Sequence, residues 1–275
     1  MKKIFLVLAA IVAFSASVFA ANITKDIKVG NFTKLDVSYS FDVTVVKSSK
    51  PGVTITIDKE YEPYLVAHVS NGVLFIGIDS EKLPWKLSKN IGDKVFEAEV
   101  AVKELCELDM SGASTFYSDE EFKVQEFKGM FSGASKVKKL CVRAREGDFD
   151  ISGASKLNLE GVFDDCTLDA SGASNVNLNV KCGELDLDCS GAAKIVLSGK
   201  TKSMDLEGSG ASKIDGTKMV CDAAGVDLSG ASSATVEVLK HLEVDLSGAS
   251  KLHYNSSVVK LEVDDISGGA SLKKR

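Results

Sequence analysis

The chain has 275 residues, with 33 Lys and Arg against 39 Asp and Glu, a net charge of −6, and 44% hydrophobic and 26% charged residues. That balance excludes a disordered polymer and a polytopic membrane protein, and the acidity argues against nucleic acid, whose phosphates need a basic stripe. With 23 Gly, 3 Pro and 1 Trp, a core is expected from Val, Leu, Ile and Ala rather than from large rings.

Residues 1–20 carry Lys2 and Lys3, an apolar run from Ile4 to Phe14, and small residues ending at Ala20. This is the layout of a secretory signal peptide cut after Ala20, so the mature chain is expected to be exported to the periplasm, the cell surface or the medium. No later apolar run is long enough to span a bilayer. Residues 21–105 read as irregular rungs and a cap: Leu35 and Val37 face inward and Asp36 outward around Ser38, and strands are predicted at 53–57, 65–69, 73–78 and 95–102. Pro51-Gly52, Asn71-Gly72 and Pro84 interrupt them.

From residue 106 onward the chain repeats. Ser-Gly-Ala or a close variant begins at Ser111, Ser132, Ser152, Ser171, Ser190, Ser209, Ser229, Ser247 and Ser267, eight steps over 156 residues, a mean period of 19.5. Around each corner apolar and polar residues alternate with period two, the mark of a strand with one buried face. The residues one and three before the serine point inward, as do those five after it, such as Val137, Leu157, Val176 and Ile195. A unit of this length cannot bury its own apolar face, so copies must stack. The predicted fold is all-β: one domain over 21–275, a parallel β-helix with a single strand path of about 20 residues per rung. Gly suits the corner because it accepts backbone angles barred to other residues, and Ala is expected on the crowded inside of the bend.

Stacking lines up outward residues. Two before the corners stand Asp109, Met130, Asp150, Asp169, Asp188, Glu207, Asp227, Asp245 and Asp265, an acidic ladder that suits weak Ca²⁺ binding or a cationic ligand and equally serves as a solvated, soluble face. Four after the corners, Lys136, Lys156, Lys194, Lys213 and Lys251 form a partial basic column, free in solvent or paired across the corner. His241, Glu243 and Asp245 alternate outward on one strand and are weak metal-ligand candidates. Strand spacing sets them about 6.7 Å apart, too far for one ion unless neighbouring rungs contribute. Of the six cysteines, Cys106, Cys166 and Cys189 are expected inward, and Cys182 and Cys221 share a register two rungs apart, beyond bridging distance. Buried free thiols are therefore expected. No nucleophile elbow, phosphate loop or metalloprotease motif is present in the sequence.

The opening Phe32-Thr33-Lys34-Leu35-Asp36-Val37, the Asn71-Gly72-Val73-Leu74 turn and the Leu-x-x-Ser-Gly-Ala-Ser rungs resemble the bacterial DUF2807 family, described as a putative auto-transporter adhesin, head GIN domain. The family's Gly-Ile-Asn signature falls here on Ser40-Phe41-Asp42. The resemblance implies a right-handed β-helix and an adhesin role. The expected function is thus non-catalytic binding of a glycan or a surface protein through the repeat faces, with no cofactor beyond weak Ca²⁺. A carbohydrate-active β-helix enzyme and a purely structural envelope protein are the alternatives, and the oligomeric state is left open.

Overall fold

The structure, a computed structural model, describes residues 22–89, 91–255 and 257–275. The predicted export segment, 1–20, lies outside the described residues. Parallel strands stack into a nearly all-β solenoid of about nine turns with about 19 residues in each. In one turn, Asp165–Ala170 leads into the corner Ser171-Gly172-Ala173-Ser174, and Asn175–Lys181 leads out of it. The strands entering the corners stack as one face, the first sheet, and the strands leaving them as a second, the two joined from Lys194 on by strands that run unbroken from one to the other. Register is kept rung by rung: Asp150 faces Asp169, Asp169 faces Asp188, and Val176 faces Ile195. The period-two pattern follows because alternate side chains leave opposite faces of a strand. Leu168, Leu187 and Leu206 are wholly buried, and the acidic residues beside them face solvent.

Rings contribute more to the interior than composition suggests. Phe127, Phe131 and Phe149 are fully buried, with Phe163 beside them. Glycines on the same inward columns make the room, since a Cβ on Gly129 would sit 2.8 Å from the ring of Phe149 and one on Gly147 2.7 Å from Phe163. Volume is conserved by pairing the largest apolar side chains with the smallest.

The corner reverses one expectation. Gly and Ala stand exposed at the tip, and the buried residue is the second serine, as at Ser114, Ser155 and Ser174. What fits there is a small side chain, Ala193 in one rung, and the serine hydroxyls differ: Ser232 Oγ donates to the Ser229 carbonyl at 2.8 Å and Ser135 Oγ donates to Ser155 Oγ at 3.1 Å, whereas Ser174, Ser212 and Ser250 Oγ are buried without a hydrogen-bond partner among the described residues. The alanine is displaced outward because its backbone is committed to the stack. Ala173 N–H donates to the Gly153 carbonyl and Ala192 N–H to the Gly172 carbonyl, both at 2.7 Å, and the column continues from Ala113 on Tyr39 to Gly269 on Gly248. Gly172 has φ of 69°, and a Cβ on it would lie 2.6 Å from the Gly153 oxygen. In the first corner Tyr39 takes this left-handed position, with φ of 74°.

The N-terminal end is closed. Its strands are β1 (Asn22–Ile27), β2 (Lys34–Val37), β3 (Asp42–Lys47), β4 (Gly52–Asp58), β5 (Leu65–Ser70), β6 (Val73–Ile78) and β7 (Phe96–Val102). β2 and β3 form the first rung, stacked in parallel on Glu107–Met110 and Thr115–Lys123. Beneath it β6 and β7 pair in parallel with β2 and β3. The direction then reverses: β5 closes one sheet antiparallel to β6, and β4 followed by β1 closes the other antiparallel to β7. The chain between β4 and β5 forms a 3₁₀ turn, Lys59–Tyr64, that drives Tyr61 into the interior against Phe96, their ring centroids 4.9 Å apart. Cys106, expected inward, is only half-buried. The chain is still arriving from the cap there, Cys106 N–H reaches the Thr33 carbonyl, and Leu105 fills the interior in its place.

At the other end Lys260–Ile266 and Ser271–Lys274, the last rung described, pair on one side only among the described residues. Its apolar residues Leu261, Val263 and Ile266 are exposed.

Candidate functional site

The ladder read from the sequence is continuous in space. Met130 pairs in register with Asp109 and Asp150, and Asp169, Asp188, Glu207, Asp227, Asp245 and Asp265 follow one per rung. It extends one rung into the cap, where Asp36 faces Asp109. From Asp150 to Asp245 its carboxylates are exposed, about 4.8 Å from rung to rung. Like charges at that spacing repel. Asp169 is held above the ordinary aspartate value by partial burial and then by Asp150 and Asp188, and Asp109 is raised by burial and then by Asp36.

Two further columns on the same sheet escaped the sequence reading. Four residues before the corners, Glu107, Asp148, Asp186, Asp205 and Glu243 share a column with Lys128, Thr167 and Gly225. Six before them run Glu126, Glu146, Asp165 and Glu184, then Ser203, Ala223, His241 and Lys260. The signal that could have found them is the same alternation, counted two and four residues further from the corner. The first sheet thus presents a lattice of carboxylates, relieved at its N-terminal end by Lys34 on Glu107 at 2.6 Å and Lys128 near Asp148 at 3.7 Å.

The lysine column lies across the corner on the second sheet. Lys136 pairs in register with Lys156, and Lys194 with Lys213; Asn175 and Ser233 separate these pairs from each other and from Lys251. All five lysines are exposed, and among the described residues no ion pair joins one to a ladder carboxylate. Beside this column Asn177 Nδ2 donates to Asn158 Oδ1 at 2.7 Å, and Asn158 Nδ2 donates to the Lys138 carbonyl. The metal candidates His241 and Glu243 come together with Glu262 of the next rung rather than with Asp245, which lies one position further along the strand face.

All six cysteines are free thiols. Burial pushes the thiols of Cys189 and Cys221 up to about 12 and raises that of Cys166. They stay protonated and pack as small apolar groups. No helix among the described residues is long and apolar enough to cross a membrane.

Fold and surface together define a parallel β-solenoid that exposes flat, repeated faces. The family described as "Putative auto-transporter adhesin, head GIN domain" matches residues 31–178 and 162–257, and the chain belongs to this DUF2807 family. Among solved structures, a putative adhesin from Parabacteroides merdae is similar, with a TM-score of 0.64, 18% identity, and coverage of 94% of this chain and 97% of that one. A putative lipid binding protein from Parabacteroides distasonis gives a TM-score of 0.63 at 20% identity, covering 94% and 98%. A putative adhesin from the same species gives 0.61 at 17%, covering 92% and 97%. At these identities the likeness is one of fold. No curated protein matches the sequence.

Proposed function

We propose that this protein is a non-catalytic, exported, adhesin-like binding protein whose contact surface is the carboxylate lattice of the first sheet. The observation that carries the reading is the set of three outward columns in register, which offers a flat field of negative charge. Such a field favours a broad partner of opposite charge and steers its approach. From Glu107 to Lys260 the three columns hold, among the described residues, no Phe, Tyr or Trp on which a sugar ring could stack. A lysine- and arginine-rich surface protein therefore fits better than a glycan. The family's adhesin description and the adhesin-like solved neighbours support binding rather than catalysis, and the signal-like residues 1–20 support export.

The test is a binding screen of the purified chain against surface and matrix proteins, uncharged and acidic glycans, with and without Ca²⁺, the ion the oxygen rows would take. Saturable binding to a basic protein is expected. It should weaken with added salt and fall in Asp169→Asn/Asp188→Asn/Glu207→Gln. Binding that is indifferent to this triple change, or turnover of an acidic polysaccharide, would overturn the reading.

A further inference from the structure

His241 and Glu243 leave the same face of the strand Ser233–Leu246, about 6.7 Å apart along it. On their own they cannot share an ion. The adjoining strand Lys260–Ile266 sets Glu262 in register beside Glu243 and Lys260 beside His241. Glu262 Oε2 lies 2.9 Å from His241 Nε2, and one donor atom from each of His241, Glu243 and Glu262 lies within 4.8 Å of the others. We propose that this triangle is a binding site for a first-row divalent cation of the zinc class, which clips the last rung of the solenoid to the one before it.

The donor chemistry selects the ion. One imidazole nitrogen with two carboxylate oxygens is a zinc-type set, and a fourth position is left to water. Ca²⁺ wants six to eight oxygens, which this triangle does not supply. Around a tetrahedral ion the donors stand about 3.3 Å apart, so the side chains need only draw in slightly. They are free to do so, because the side chains of His241 and Glu262 are 37% and 42% exposed. Glu262 divides its oxygens: Oε1 takes the ammonium of Lys260 and Oε2 faces His241. The rung-mate of Glu243 on the other side is Gly225, which sets no side chain beside it.

An ion here spans two strands that the chain joins only through the residues between them. The second strand is the most exposed in the described chain, so a clip at this point acts where packing is weakest.

Titration of the chelator-stripped protein with ZnCl₂ by calorimetry, and with CoCl₂ by visible absorption, is expected to show one saturable equivalent and the strong absorption bands of four-coordinate cobalt. His241→Ala and Glu262→Gln should each weaken it by roughly tenfold or more, and Asp188→Asn on the ladder should leave it unchanged. Zn²⁺ should also slow amide hydrogen exchange in 260–266 in the parent chain and not in His241→Ala. The site is overturned if no stoichiometric uptake occurs. It is equally overturned by uptake that survives His241→Ala, whether lost on blocking the thiols or on neutralising the ladder.

Discussion

The two ends of the solenoid face the same physical problem and meet it differently. A stack of parallel strands leaves a row of unpaired backbone groups and an apolar floor at each end. At the N-terminal end the chain reverses, so that β5 and β1 finish the two sheets antiparallel while Tyr61, Phe41 and Phe96 fill the floor. At the C-terminal end Lys260–Ile266 stacks like any other rung and leaves Leu261, Val263 and Ile266 in solvent. The contrast teaches that the repeat supplies lateral pairing but not closure. Closure needs residues outside the repeat.

The largest effect should come from emptying the closed end. Tyr61 is fully buried and donates its hydroxyl hydrogen to the Leu87 carbonyl at 2.9 Å. Tyr61→Ala should cost about 3–5 kcal/mol in urea melts, whereas Leu261→Ala at the open end should cost under about 1 kcal/mol. Equal costs would erase the distinction. A smaller effect should separate the middle from the end of the corner column. Gly172→Ala forces a side chain into a left-handed turn and against the Gly153 oxygen, a loss of about 2 kcal/mol or more. Gly268→Ala meets a similar obstacle, its Cβ 2.8 Å from the Gly248 oxygen. The outermost rung can lift away, so it should cost visibly less and show only as faster exchange in 260–274.

The smallest effect is one of pH, and its sign differs between Asp36 with Asp109 in the N-terminal rungs and Glu262 on the last rung. Burial raises Asp36, and burial together with Asp36 raises Asp109. A carboxyl raised in the folded state contributes stability that is present below its unfolded value and is lost as pH rises through its folded value. Acidification from neutrality towards the ordinary aspartate range should therefore tighten the N-terminal rungs. Glu262 is lowered by Lys260 and His241, so its contribution is present above the ordinary glutamate value and is lost as pH falls through its folded value. The Glu262 contact should loosen over the acid range below that ordinary value, opposed by Asp245, which burial and then Asp227 and Asp265 raise. Thermal melts of Asp109→Asn should lose the acid gain, a change of about 1–2 °C; an unaltered profile would remove the electrostatic half of the comparison.

Much of this was legible because the corner is a fixed point. Once Ser111 to Ser267 were aligned, the alternation assigned the inward leucines and the outward aspartates correctly, and Asp36 around Ser38 was recognisable as an earlier rung. What the sequence could not express was the cost of stacking at the bend. The alanine was assigned inward by size, yet its amide is needed at the tip and the second serine goes inside. Cys106 failed for a related reason, since a register counted back from the corner does not apply before the strand has begun. The neighbouring acidic columns were obscured by Lys128, Thr167 and Gly225. The partner of His241 and Glu243 was hidden by a register shift. Counting back four from Ser267 gives Val263, but an extra residue between Val263 and Asp265 brings Glu262 beside Glu243 instead.

The corner column has an electrical consequence. Along a strand successive peptide groups point in opposite directions and their dipoles largely cancel. The Gly–Ala peptide at each tip does not alternate. Its N–H always points to the preceding rung and its carbonyl to the following one, from Tyr39 to Gly269. Dipoles of about 3.5 D therefore add head to tail as they do in an α-helix. The molecule carries a polarity along its axis, positive towards the closed end and negative towards the open one, which no change of pH or side-chain charge can remove.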